Sequence, residues 1–233
     1  MLSSTLAETL AALLMVNVYE PGYPMIFSNW PFVIDLRSGS FCGSGGEITL
    51  LNAASAQLSN WLGLPSGAAS SMSDAKAVDA QMGLEKAMSS LGVGLSGCNM
   101  IYESSGMMAS LLGASFEAML IDNEMLSQVY RILRGVEVNE ETLGYAAIEE
   151  AVYGEGHFLG SQHTMDAMQR DYFWPSELSD RNQPTVWQEA GATDMWQRAT
   201  EQVRQILDTH QPEYLSPSAD KAIREKYSIL LNV

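Results

Sequence analysis

Three times in the first 135 residues, a short run of apolar or small residues is followed by a loop and then by a helical stretch. This repeat is typical of consecutive βα units in a parallel sheet, whose right-handed crossovers place the strands side by side. The spacing therefore predicts an α/β fold. The predicted strands are 23–28, 66–70 and 98–102, and the predicted helices that follow them are 47–62, 78–91 and 116–134.

The sequence changes character after Gly135, where a glycine ends the last of these helices. Further helices are predicted at 140–153, 162–170, 188–210 and 217–230, with no strand between them. The chain therefore divides into a barrel-like part, 1–135, and a helical C-terminal region, 136–233. Three βα units are too few to close a (β/α)8 barrel, which needs eight. This leaves a small open α/β domain or the C-terminal half of a longer protein.

The charge balance narrows the class of partner. The chain has 28 acidic residues against 12 Lys and Arg, a net charge of −16. Nucleic acid and anionic membrane surfaces require clustered cations, so we expect neither as a partner. A cationic substrate or a basic protein surface fits this charge. The two cysteines, Cys42 and Cys98, form no disulfide framework and no Cys-x-x-Cys pair, which favours the cytosol.

The first helix is predicted at 5–17, and its apolar stretch is too short to span a bilayer. It carries Glu8 and Asn17, and it lacks the basic region and cleavage site of a signal peptide. We therefore expect a buried amphipathic helix.

A glycine-rich segment at 154–164 contains two of the three histidines, His157 and His163. Glycine lets a ligand approach the backbone, so this segment is one candidate for a site loop. The alternative is a loop that connects two helices, with histidines bonded to nearby carbonyls. The histidines are six residues apart, which is not the i, i+4 spacing of a helical metal pair, and we expect no metal here.

The Gly-x-Gly-His-Phe-Leu string in this segment and the following His-Thr resemble the C-terminal part of the trimethylamine methyltransferase (MttB-like) family. Further matching strings occur in the family's order, at 6–10, 43–47, 63–65, 73–81, 97–102, 121–124 and 173–175. The resemblance implies the C-terminal part of a TIM (β/α)8 barrel, with about three βα units followed by a helical tail. It also implies methyl transfer to the Co(I) of cobalamin, a corrinoid that a partner protein carries. Family members are about twice this length.

In a TIM barrel the reactive residues lie on loops after the carboxyl ends of the strands. A quaternary ammonium has no N–H, so a protein holds it with aromatic faces and nearby negative charge. The candidates for an aromatic cage are Trp30, Phe32, Tyr102 and Phe158. For each of them, ordinary core packing is the alternative.

Three carboxylates lie in or beside the strand-end loops. Glu47 and Glu103 are the catalytic candidates, and Asp74 is a candidate for substrate binding. The alternatives are that Asp74 caps a helix and that Glu47 complements a helix dipole. His157 and His163 are predicted to donate hydrogen bonds to an anionic end of the substrate. A lyase or aldolase would need a Schiff-base lysine, for which Lys76 is the one weak candidate.

The resemblance also bears on the substrate. Members that use trimethylamine carry pyrrolysine in the loop before the Ile-Asp-Asn-Glu string at 121–124. Here the aligned position, near Leu112, holds an ordinary side chain. We therefore expect a quaternary amine, with glycine betaine first, and a homo-oligomer. The alternative is a truncated, non-catalytic fragment or assembly module that is inactive alone, because an open half-barrel exposes apolar surface and self-associates.

Overall fold

The computed structural model describes residues 1–229. The strands are β1 (Phe27–Ser28), β2 (Val33–Ile34), β3 (Phe41–Cys42), β4 (Ser66–Ala69), β5 (Met100–Tyr102), β6 (Met107–Met108) and β7 (Gly113–Ala114). The helices are α1 (Leu2–Tyr19), α2 (Gly46–Trp61), α3 (Ala80–Leu95), α4 (Phe116–Leu133), α5 (Glu140–Leu143), α6 (Tyr145–Tyr153), α7 (Gln162–Arg170), α8 (Pro184–Glu189), α9 (Met195–Thr209) and α10 (Pro217–Lys226). A 3-10 turn spans Ala109–Leu111.

A three-stranded parallel sheet in the order β1-β4-β5 lies at the centre. The central strand β4 is buried along its whole length and consists of small residues. Gly67 in this strand faces Ser28 of β1, and a Cβ atom on Gly67 would come within 3.0 Å of the Ser28 side chain. The parallel order and the α/β class that the repeat predicted are confirmed. Within residues 1–229 the sheet is open and does not close into a barrel.

Helix α3 packs between α2 and α4, and α2 also contacts the central strand β4. The residue before α3 and the residue before α4 are good helix caps. Asp79 accepts hydrogen bonds from the backbone N–H groups of Gln81 and Met82, and Ser115 accepts one from Ala118. Each cap satisfies donors that the first turn of a helix leaves open. These helices therefore begin close to where the sequence predicted them.

The first predicted strand is longer than the observed one. Strand β1 begins at Phe27 instead of Tyr23, because Pro24 has no N–H for a ladder and the chain joins β4 only after it. The loops after β1 and β5 also contain strands that the sequence analysis did not predict. These are the antiparallel pairs β2–β3 and β6–β7.

The prediction that the first helix is buried is wrong. No residue of α1 is buried, although the helix packs against α2 and Thr9 bonds to Asn29. Leu14, Met15 and Val18 are exposed because the described chain covers only one side of this helix. The helix also runs over Leu2–Tyr19 instead of 5–17, so the expectation that it is too short to span a bilayer is wrong. Its 18 residues have a mean hydropathy of 1.3, and by length and composition it could cross a membrane. Signal sequences and core helices of soluble proteins share that property, so it does not by itself identify a membrane-spanning helix.

The tail from residue 136 onward is helical, with α9 packed against α4. Two predicted helices are interrupted. The helix predicted at 140–153 breaks at Gly144, whose φ is +62°, and the one predicted at 188–210 gives way to α8 and α9 around Gly191, whose φ is +99°. Left-handed glycines end helices in this way. The predicted helix 217–230 begins as expected at Pro217, and its predicted last residue, Leu230, lies outside the described residues.

Candidate functional site

Four aromatic rings meet at the carboxyl end of the parallel sheet. Trp30 follows β1 and Tyr102 ends β5, and their ring centroids are 5.8 Å apart in an edge-to-face arrangement. Phe32 lies 4.7 Å from Trp30, and Phe41 lies 4.9 Å from Phe32. We call these four residues the aromatic cluster. Three of the four predicted cage residues are therefore brought together, and Phe41 is an addition that the sequence analysis missed.

The β2–β3 hairpin explains why Phe41 joins the cluster. Ile34 pairs with Phe41 across the hairpin, which returns the chain toward Phe32. The turn of the hairpin is closed by Asp35, whose carboxylate accepts hydrogen bonds from Arg37 and from the Ser38 hydroxyl. The bonds from Arg37 lower the pKa of Asp35 to about 2. The Asp35 carboxylate is therefore ionised at neutral pH and can keep these hydrogen bonds.

The polar atoms of the cluster leave the ring faces available. The Ser28 hydroxyl donates a 2.7 Å hydrogen bond to the Tyr102 hydroxyl, and burial raises the pKa of Tyr102, so the phenol stays protonated. The indole Nε1 of Trp30 is buried without a hydrogen-bond partner among the described residues. Phe32 remains 39% exposed. The cluster is thus a partly open aromatic surface whose negative ring faces suit a cation.

The three carboxylate candidates have different surroundings. Asp74 does not cap a helix, since Asp79 caps α3; its Oδ1 instead accepts 2.6 Å bonds from the Gly43 N–H and the Ser110 hydroxyl. Glu47 is exposed in the first turn of α2, which agrees with the helix-dipole alternative. Glu103 follows Tyr102 directly and is partly buried, with a left-handed φ of +63°. Of the three, Glu103 lies nearest in sequence to the aromatic cluster.

Lys76, the one candidate for a Schiff base, donates a 2.7 Å hydrogen bond to the backbone carbonyl of Asp74 on the exposed surface. This contact gives the lyase or aldolase alternative no support. Among the described residues, no group of three His, Cys, Asp or Glu side chains is arranged to hold a metal ion.

The remaining site candidates lie in the helical tail. His163 bonds through Nε2 to the backbone carbonyl of Glu141 at 3.0 Å, and His157 lies 3.5 Å from the Glu155 carboxylate. Phe158 and His163 line an open groove of about 450 Å³ formed with α5, α6 and α7. The glycine-rich segment therefore connects α6 and α7, and His163 itself lies in the first turn of α7. Phe158 is not a member of the aromatic cluster.

Comparison with known proteins shows which family the chain belongs to. The sequence pattern of the family described as Trimethylamine methyltransferase (MTTB) matches residues 1–228. The chain belongs to the trimethylamine methyltransferase family. It is 31% identical over 218 residues to a glycine betaine methyltransferase from Desulfitobacterium hafniense (strain Y51), covering 94% of this chain and 45% of that protein. It is 35% identical over 205 residues to the trimethylamine methyltransferase MttB of Methanosarcina barkeri (strain Fusaro / DSM 804), covering 88% of this chain and 41% of the relative.

This member of the trimethylamine methyltransferase family therefore spans less than half the length of these two curated relatives. Its matched length agrees with the C-terminal fragment that the resemblance implied.

The sequence analysis missed Phe41, Ser28, Gly43 and Ser110 as contributors to the strand-end edge. A signal for Phe41 was available in Val33–Ile34 and Phe41–Cys42, two short apolar runs around a turn that contains Asp35 and Gly39. The partners of Asp74 had no comparable local signal.

Proposed function

We propose that this chain is the C-terminal part of a TIM-barrel methyltransferase. It would transfer a methyl group from a quaternary amine, with glycine betaine first, to the Co(I) of cobalamin on a partner corrinoid protein. The observation that carries this proposal is the aromatic cluster at the carboxyl end of the parallel sheet, in a chain that belongs to a methyltransferase family. Active sites of (β/α)8 enzymes are built at that edge.

A quaternary ammonium suits this surface for chemical reasons. It has no N–H to donate, so hydrogen-bond acceptors cannot select it, whereas ring faces attract its diffuse positive charge. Such a contact contributes about 0.5–2 kcal/mol, with the larger value in a desolvated site. The net charge of −16 adds a long-range attraction for quaternary amines that carry a net positive charge, but not for the zwitterion glycine betaine. Glycine betaine and related amines carry this group.

The proposed reaction needs no nucleophilic side chain. The C–N bond to one methyl group breaks, its electron pair stays on nitrogen, and the methyl group is transferred to Co(I), which supplies the electron pair for the new bond. The tertiary amine product, which is dimethylglycine when glycine betaine is the substrate, leaves without a positive charge on nitrogen. The role of the chain is to align the C–N bond and hold the cation. Glu103 beside Tyr102 is the proposed catalytic carboxylate, and exposed Glu47 would contribute only at longer range.

The carboxylate of a betaine needs a separate partner. In the complete enzyme, we propose His157 or His163 for this contact, because an imidazole N–H can donate a hydrogen bond to a carboxylate. His157 lies in the glycine-rich segment between α6 and α7, and His163 lies in the first turn of α7. Cobalamin enters this scheme as a second substrate that the partner protein presents. A homo-oligomer in the cytosol is the expected form of the enzyme.

Binding to the 233-residue chain tests the aromatic site directly. Isothermal titration should detect glycine betaine, whereas 3,3-dimethylbutanoate, in which carbon replaces the charged nitrogen at nearly the same shape, should bind at least tenfold more weakly. Equal binding of the two compounds would contradict a cation site. Trimethylamine, which is protonated at neutral pH and carries one N–H, serves as the third ligand.

Methyl transfer requires the full length of the relatives. We would replace the 218 matched residues of the Desulfitobacterium hafniense (strain Y51) glycine betaine methyltransferase with this chain and follow the absorbance of cob(I)alamin. The chimera should turn over glycine betaine in preference to trimethylamine. Turnover of trimethylamine alone would overturn the assignment of a quaternary amine.

The exposed apolar face of α1 supports a second candidate, an assembly module that is inactive alone. A chimera without methyl transfer, together with a chain that self-associates and ignores betaine, would favour that module over the enzyme.

A further inference from the structure

One carboxylate oxygen joins the three loops at the edge that carries the aromatic cluster. Oδ1 of Asp74, in the loop between β4 and α3, accepts hydrogen bonds from the Gly43 N–H and from the Ser110 hydroxyl, both at 2.6 Å. Gly43 belongs to the loop before α2, and Ser110 belongs to the loop between β5 and α4. Charge-assisted hydrogen bonds of this kind are short and strong. Each of the three βα units therefore contributes one group to a single contact.

The Asp74 loop is itself fixed by α3. Oε2 of Glu85 accepts a 2.8 Å bond from the Asp74 N–H and a 2.7 Å bond from the Ser73 hydroxyl. The Gln81 side-chain amide, one turn earlier in α3, donates a 2.8 Å hydrogen bond to Oε1 of Glu85. The loop that carries Asp74 is thus tied to α3 by the two hydrogen bonds that Glu85 accepts.

The loop that Asp74 holds has an unfavourable backbone. Ala109, Ser110 and Leu111 all have left-handed φ angles, of +50°, +55° and +73°. For residues with a side chain this conformation is unfavourable, and it persists only where surrounding contacts impose it. The backbone N–H groups of Ala109 and Ser110 bond to the carbonyls of Ala75 and Ser73 at 3.0 and 3.1 Å. These bonds and the Asp74 carboxylate supply such contacts.

The position of Gly43 shows how closely the loops approach. A Cβ atom on Gly43 would lie 3.2 Å from Asp74 Oδ1 and 3.2 Å from the Ser110 Cα. Both separations are tighter than ordinary van der Waals contact, so any side chain at this position would push the three loops apart. Glycine is used where a backbone must come this close to another group.

We propose that Asp74 is a positioning residue. Through one oxygen it locks the three strand-end loops in a single arrangement and keeps Ala109–Leu111 in its left-handed form at the edge that carries the aromatic cluster. This role replaces direct contact between Asp74 and the substrate. It does not depend on which amine binds, or on whether the chain is active alone.

Hydrogen exchange at single amides, followed by NMR on the chain as it stands, tests the proposal without a ligand. Asp74→Ala should accelerate exchange at Gly43, Ala109 and Ser110 at least tenfold. Asp74→Asn should retain most of the protection, because its amide oxygen can accept the same two bonds. Asp79→Ala is the matched control: it removes an aspartate five residues away that caps α3, and it should leave these three amides protected.

Two further variants keep the test decisive if Asp74→Ala fails to fold. Ser110→Ala removes one of the two bonds and should raise exchange at Ser110 and Ala109 by a smaller factor. Gly43→Ala should also raise exchange at Ala109 and Ser110, because the added Cβ atom would push against Asp74 and Ser110. Unchanged exchange in Ser110→Ala and Gly43→Ala would overturn the proposal.

The Asn variant separates this role from substrate binding. If Asp74→Asn weakens binding of tetramethylammonium as much as Asp74→Ala does while the amides stay protected, Asp74 acts on the cation through its charge, and the positioning role is wrong. Normal binding of tetramethylammonium to Asp74→Asn supports the positioning role.

Discussion

The strand-end region and the helical tail are stabilised in different ways. In the first region, Lys86 of α3 and Asp122 of α4 form an ion pair at 2.7 Å with both side chains only 1% exposed, and Asp122 also accepts the Gly106 N–H. In the tail, Arg170 pairs with Glu141 and Asp171 near the surface. The first region therefore contains a buried ion pair between distant residues, whereas these ion pairs of the tail lie near the surface. The strand-end region is therefore better suited than the tail to hold the side chains of a site in fixed positions.

Burial dominates the titration of the inner pair. It lowers the pKa of Lys86 and raises the pKa of Asp122, while the hydrogen bond between them opposes both shifts. The surface pair behaves differently, since hydrogen bonding to Arg170 lowers the pKa of Asp171. A charged side chain that is buried away from water needs an opposite charge beside it. If one member of a buried ion pair is removed, the charge of the other is left uncompensated.

The largest expected effect comes from breaking the buried pair. Lys86→Met should lower the free energy of unfolding by about 3–5 kcal/mol, because Asp122 would be left buried without its cation. Arg170→Met in the tail is the control and should cost much less, because solvent screens its ion pairs with Glu141 and Asp171. Urea unfolding of both variants gives the comparison. Equal losses would show that the two regions do not differ in the way described.

A second prediction asks whether the tail contributes to the site. In the complete enzyme, His157→Ala should raise KM for glycine betaine roughly ten- to a hundredfold if His157 makes one charge-assisted hydrogen bond worth ~1.5–3 kcal/mol. The chimera described above allows this measurement. Unchanged kinetics with reduced stability would assign His157 to structure, alongside its neighbour Glu155.

A third prediction compares an aromatic residue from each region. Trp30→Ala should raise the dissociation constant for tetramethylammonium about tenfold, because a cation–π contact contributes ~0.5–2 kcal/mol. Trp174→Ala is the matched control, since Trp174 packs against Tyr172 in the tail at 4.9 Å. Titration calorimetry measures both. A larger effect of Trp174→Ala would move the cation site to the tail.

The smallest expected effect concerns the exposed face of α1. Size-exclusion chromatography of the chain should show self-association, and Leu14→Glu should weaken it about fivefold, since partial burial of one leucine contributes ~1 kcal/mol. Tyr153→Glu changes an exposed residue of the tail and should have no effect. A sharp monomer peak for the unmodified chain would show that α1 has no role in association.

The sequence by itself determined the three parallel strands, the helices between them and the aromatic candidates of the sheet edge. Turn residues, helix caps and apolar runs act over a few residues, so they can be recognised in the sequence before the tertiary structure is known. Only the tertiary structure decided that Phe41 joins Phe32, that α1 stays exposed and that Phe158 lies apart from the aromatic cluster. Asp74 meets Ser110 across 36 positions, and Lys86 meets Asp122 across another 36. Such partners are chosen by helix packing and loop approach, which no local pattern encodes.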